Sequence, residues 1–197
     1  MLGAMTIQYG YSQTRKGSFL MGVTLSAKPP ETNRYEFTVS PDVSYFVVDR
    51  LAVGLVAPVN YIHEDRSDRA YVRRITTYAI GPAVRYYFSF GSWAIFPTAS
   101  FAHGWRKTKF DGLNVSPWKG KSNAFTGGVG VAYFLTRSVG VEAVLYHRHE
   151  IFLIGNPNIP LSQQKVTKTG LNLSIGVQVY IAKAATPVNK MHKTRRR

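Results

Sequence analysis

From Gly17 onward the chain alternates between two kinds of position, large apolar and small or polar. Phe19, Met21, Val23 and Leu25 fall on one face, and Leu20, Gly22, Thr24 and Ser26 on the other. Strand side chains point to opposite faces with period two, so such alternation predicts β-strands with one apolar face. The next run sets Tyr35, Phe37, Val39, Val43 and Tyr45 against Glu36, Thr38, Ser40, Asp42 and Ser44. Further runs begin near Leu51, Tyr78, Ile95, Phe125 and Val139, and the last sets Leu171, Leu173, Ile175, Val177, Val179 and Ile181 against Asn172, Ser174, Gly176 and Gln178. The pattern predicts eight strands. Most have the roughly 9–11 residues that a tilted membrane strand requires.

The connections alternate as well. Val47–Arg50, Ser89–Ser92 and Leu135–Ser138 read as tight turns. Ala27–Arg34, Ile62–Arg74, Arg106–Ser122 and His147–Lys168 read as longer, charged loops. Short turns at one end and long loops at the other predict an eight-stranded antiparallel up-and-down transmembrane β-barrel. The faces separate this from a soluble barrel, whose bulky side chains fill the inside. Here the bulky face is Phe, Leu, Val, Ile and Tyr, while the other is mostly Gly, Ala, Ser and Thr. Eight strands enclose room for side chains only, so the small face fits the lumen and the bulky face fits lipid. Outward aromatics fall near strand ends, Tyr45, Tyr86, Trp93 and Tyr133 beside the turns and Tyr35, Tyr61, Trp105 and Phe125 toward the loops, as interfacial girdles require. Pro41, Pro82 and Pro97 interrupt strands. Proline cannot donate to a ladder, so bulges are expected there.

The parts are residues 1–16 as a lead-in, 17–182 as an outer-membrane barrel and 183–197 as a basic periplasmic tail. The stretch from Leu2 to Gln13 reads either as the remnant of a signal peptide or as an unstructured leader. Composition narrows the chemistry. The 197 residues contain no Cys, which excludes disulfides and thiolate sites. The formal charge of +15 calls for an anionic neighbour. It sits in the tail, at Lys190, Lys193, Arg195, Arg196 and Arg197, and around the third long loop, at Arg106, Lys107, Lys109, Lys119 and Lys121. The loop set is a candidate contact for the phosphates of lipopolysaccharide, and the tail for anionic lipid or an acidic envelope protein. A solvated charge run is the alternative for both. Nucleic acid is not expected, because the aromatics follow the strand alternation and the tail has none.

Asp42, Arg85 and Glu142 all fall on the small face near the short-turn end, which predicts an ion network inside the lumen. It plugs the barrel in one reading and gates a narrow porin-like channel in the other. His147-Arg148-His149-Glu150 lacks the helical spacing of a zinc motif, so no metal site is expected. His103 and His147 point outward while Ser100 and Ser122 point inward, so no catalytic set assembles for a lipid A-modifying enzyme. No cofactor is implied.

Three segments carry a resemblance: Ser40–Val47, Gly81–Phe88 and Gly128–Leu135, each small residues leading into paired aromatics. Over Gly17 to Ile181 the chain resembles the outer-membrane β-barrel domain family common in Bacteroidota, whose eight-stranded members are similar to OmpX and to the membrane domain of OmpA. The resemblance implies a structural or interaction barrel with periplasmic termini, inserted by the barrel-assembly machinery. The final strand resembles the insertion signal read by that machinery, with Ile181 at the place of the usual terminal aromatic.

Overall fold

The computed structural model describes residues 13–28, 33–66, 71–112, 116–153 and 165–182. Its strands are β1 (Phe19–Ala27), β2 (Arg34–Val48), β3 (Leu51–Val56), β4 (Val59–Arg66), β5 (Tyr71–Tyr86), β6 (Phe88–Phe90), β7 (Trp93–Asp111), β8 (Trp118–Phe134), β9 (Val139–Leu153) and β10 (Lys165–Ile181). Every pairing is antiparallel, and β1 pairs with β10 as well as with β2, so the sheet closes on itself. Closure removes the open edges that an antiparallel sheet otherwise exposes.

The ten segments form a ring of eight staves rather than eight unbroken strands. β3 and β4 share the neighbours β2 and β5 and make one stave, parted at Ala57–Pro58. β5 and β6 both pair with β7 and make another, parted at Tyr87. Pro58 marks the first of these breaks, whereas no bulge forms at Pro41, Pro82 or Pro97, where the sequence predicts them. Across β5 and β7 the ladder lapses at Gly81–Pro82 and resumes in the same register, from Ile80 opposite His103 to Ala83 opposite Ser100. Pro97 keeps its place opposite Val129, and Pro41 opposite Val23. A missing N–H deletes a ladder bond without adding a residue, so the register has no cause to shift. The one shift in these ladders lies between Phe46 and Val48, beside the β2–β3 turn.

The strands also run further than the apolar alternation suggests. β7 reaches Asp111 and β8 starts at Trp118, so most of the stretch read as the third long loop is paired hairpin. Likewise β4 and β5 continue to Arg66 and from Tyr71, and β9 and β10 to Leu153 and from Lys165. At that end charged side chains stand on both faces, as with inward Arg106 beside outward Lys107. The alternation disappears from the sequence while the ladder continues.

The faces divide cleanly. Leu171, Ile175 and Leu173 are 67%, 63% and 55% exposed on the outer surface, and Ala52, Ala94 and Ala132 are fully buried inside. The inner face is not uniformly small, however. At the short-turn end Leu20, Phe46, Tyr87, Phe96, Phe134 and Tyr180 form a buried cluster across the lumen. Phe96 lies opposite Gly130, and a Cβ there would collide with the Phe96 ring. The glycine leaves the space that the ring fills, an exchange of small for large that close packing requires.

Candidate functional site

The short-turn end of the lumen holds a charged network directly above the aromatic cluster. Period-two facing carries Arg85 on β5, Asp42 on β2 and Glu142 on β9 inward, and the structure brings the three together. The Arg85 guanidinium lies 3.1 Å from Glu142 and 3.4 Å from Asp42, with Glu142 fully buried. Glu142 also accepts hydrogen bonds from the hydroxyls of Tyr180 and Tyr87, at 2.9 and 3.2 Å. Gln178 Nε2 donates to the other acid, Asp42 Oδ1, at 3.0 Å. The second Asp42 oxygen has the guanidinium as its partner at ion-pair rather than hydrogen-bond geometry. The Arg85 cation also sits 5.7 Å from the centre of the Phe96 ring. A buried carboxylate needs this many partners, because each unsatisfied lone pair in a low-dielectric interior is costly.

Tyr87, Tyr180 and Gln178 complete a network that sequence reasoning reduces to three charges. The signal is present: Tyr87 is two residues beyond Arg85 and Tyr180 two beyond Gln178, on the same face by period two. Below them the chain closes the mouth. Gln13 and Thr14 are buried; Gln13 Nε2 donates to the Thr136 carbonyl at 2.6 Å, and the Arg50 amide to the Thr14 carbonyl at 2.6 Å. The described end of the lead-in thus lies across the β2–β3 and β8–β9 turns.

Above Arg85 the lumen opens into a cavity of about 90 Å³, lined by hydroxyl side chains such as Thr24, Ser40, Thr98, Thr126 and Ser174 together with Val56, Pro58 and Val144. A second network follows at the long-loop end. Glu36 takes Lys168 at 2.9 Å, Arg34 at 3.2 Å and Lys28 at 3.7 Å, and accepts from Asn60 at 3.3 Å. It ties β2 to β4 and β10, yet the sequence pattern hides it because Lys168 falls in a stretch that reads as a loop. Arg148 and Glu150 pair on the inner face at 3.3 Å, while His147 and His149 point outward.

The loop cations divide into two groups. Arg106 is not with the lysines: it points inward and stacks on the Phe152 ring at 4.1 Å. Lys107, Lys109, Lys119 and Lys121 are exposed on the outer face, where Lys107 stands opposite Lys119 and Lys121 opposite Trp105. Arg106 and Lys107 are adjacent in a strand, which forces them to opposite sides. Ser122 is buried, Ser100 is half-buried, and His103 lies 2.7 Å from Asn123 Oδ1. The basic tail, from Lys190 to Arg197, lies outside the described residues.

No family model matches the chain, and no curated protein does. Solved structures do. The outer membrane protein OprG from Pseudomonas aeruginosa is similar over 89% of this chain and 99% of its own, with a TM-score of 0.53 and 14% identity. A major outer membrane protein from Thermus thermophilus is similar over 84% and 99%, with a TM-score of 0.52 and 11% identity. At such identities the likeness is one of fold. The fold is that of a small β-barrel.

Proposed function

We propose that this chain is an eight-staved transmembrane barrel of a bacterial outer membrane with a structural or interaction role. In this reading its termini are periplasmic and its long-loop end meets lipopolysaccharide. The observation that carries it is the inversion of the usual arrangement: apolar chains cover the outer surface, and the charges are buried and paired within. A water-facing surface does not tolerate an apolar belt of that extent, and lipid requires one. The belt has the right height. On β8 the outward residues run from Tyr133 to Phe125, a span of nine residues that rises roughly 20 Å at a tilt of 35–45°, close to the ~25 Å of an outer-membrane apolar band once the rings are added. Trp93 packs on Tyr133 at 4.6 Å at the lower edge, and Phe101 on Phe125 at 4.8 Å at the upper edge.

The OmpX-like, Bacteroidota-type assignment rests on the motif resemblance. It agrees with an interaction role, as does insertion by the barrel-assembly machinery. The basic tail follows β10 at the short-turn end, where an acidic envelope protein or anionic lipid is its natural contact. A porin-like channel is the rival reading, and the plugged lower lumen weighs against it. In planar bilayers the purified protein should insert without opening conductance steps. Regular steps in the wild type would transfer the reading to a channel.

A further inference from the structure

The outer faces of β7, β8 and β9 hold two features that no ion pair or packing partner explains. The first is the lysine patch. Lys107 and Lys119 stand directly opposite each other, with Lys121 and Lys109 one outward position to either side. Like charges directly opposite across a ladder are destabilising. Among the described residues no carboxylate lies within ion-pair distance of these four ammoniums, since the nearby Asp111 is taken by Arg74 at 2.7 Å. Outward positions repeat every ~7 Å along a strand, so the patch extends roughly 14 Å along the ladder.

The second feature lies down the same strands, toward the middle of the apolar belt. There Ala99 faces Gly127, and Gly127 faces His147. Ala99 and Gly127 floor a shallow groove of about 550 Å³ walled by Phe101, Phe125 and Val84, with His147 and His149 along its β9 side. A Cβ added to Gly127 would meet no atom within 4 Å, so the groove opens outward to lipid. Six residues separate Gly127 from Lys121, roughly 20 Å along the strand. That is the span from a phosphate at the interface to the body of an acyl chain.

We propose that this face binds one molecule of a bisphosphorylated, multi-acyl glycolipid, the anchor of lipopolysaccharide, with its phosphates on the four lysines and an acyl chain in the Ala99–Gly127 groove. The inference rests on the membrane reading above and specifies its partner. Charge selects the occupant: four unpaired cations suit a headgroup with two phosphates and give no advantage to a zwitterionic phospholipid, whose net charge is zero. A comparable apolar groove, lined by Val23, Phe37 and Ile175, lies on β1, β2 and β10, staves that do not carry the lysine patch. It serves as the control.

The test uses the full chain in detergent or nanodiscs, with binding measured to bisphosphorylated lipid A, its monophosphorylated form and phosphatidylethanolamine. Affinity should fall in that order. K107Q/K119Q should weaken lipid A binding about thirtyfold, from the contribution of each basic residue near an anionic lipid surface. Gly127→Leu fills the groove without touching the fold and should weaken it about tenfold, while Val177→Trp in the control groove should leave it unchanged. If Gly127→Leu is silent while the lysine variant weakens binding, the acyl groove is wrong and the inference falls, although phosphate contact stands. Equal affinity for phosphatidylethanolamine, or two silent variants, overturns it as well. A shift of the protein from dimer to monomer on Gly127→Leu gives the groove to a second copy and also overturns it. Failure of the membrane reading would register separately, as failure of a Leu145→Cys variant to react with a membrane-soluble thiol reagent in nanodiscs.

Discussion

Replacing Arg85 with Leu should destabilise the barrel by about 3–5 kcal/mol, the range for removing one partner of a buried ion pair. The guanidinium is the only cation within ion-pair distance of Asp42 or of Glu142 among the described residues, and both acids are buried. Its loss leaves two buried carboxylates with no counter-charge within ion-pair distance. Tyr87, Tyr180 and Gln178 would still donate hydrogen bonds, which tempers the loss without neutralising it. Replacing Arg85, Asp42 and Glu142 together with apolar residues of similar size should cost much less, because no charge is then left unpaired. Urea unfolding in lipid vesicles separates the two variants. A silent single change, or a triple change worse than the single, would show that the network does not hold the staves together.

The second large effect is expected on the outer face. Leu173, Leu145 and Val129 stand in one cross-strand row, and Val129 lies midway along β8 between Tyr133 and Phe125. In the membrane reading Val129 lies at the bilayer midplane, and strand tilt carries Leu145 and Leu173 off that level. Val129→Arg should therefore cost about 2–4 kcal/mol in vesicles, while Thr167→Arg, outward near the loop end of β10, should cost almost nothing. On a water-exposed surface both changes would fall within about 0.5 kcal/mol of zero. The difference between the two positions in the same urea assay measures depth, and equal small effects would contradict a membrane-facing row.

The staves are legible because period-two alternation is strong wherever one face is apolar and the other is not. Facing follows directly, from Phe19 and Leu20 through Val179 and Tyr180. Two features do not follow. The hairpin extensions Trp105–Asp111 and Trp118–Ser122 carry charge on both faces, so their ladder leaves no trace in hydropathy. The prolines suggest bulges, since a sequence shows that a donor is missing but not that the opposite stave is broken at the same level. Asp42, Arg85 and Glu142 can be grouped by counting residues from the turns, since depth in an up-and-down barrel is set by that count. The Glu36 network cannot, because Lys28, Arg34 and Lys168 belong to segments that read as loops. Arg106 groups with Lys107 by adjacency in the chain, whereas adjacency in a strand means opposite faces. The aromatic floor is the larger omission. Tyr87, Phe96, Phe134 and Tyr180 stand as aromatics on the inner face by the same alternation, but the predominance of Gly, Ala, Ser and Thr there points to a lumen of small residues throughout.

In the membrane reading the bulky face meets lipid and the small face the lumen. Single cysteines at Val131, Leu145 and Leu173, and at Ala132 and Ser174, test it in reconstituted vesicles with a membrane-soluble thiol reagent. Val131, Leu145 and Leu173 are 40%, 51% and 55% exposed, whereas Ala132 and Ser174 are 0% and 7%. The first three should label readily from the lipid phase and the last two should resist. Labelling of Ala132 and Ser174 with protection of the other three would mean a barrel whose core lies where lipid has been assigned here.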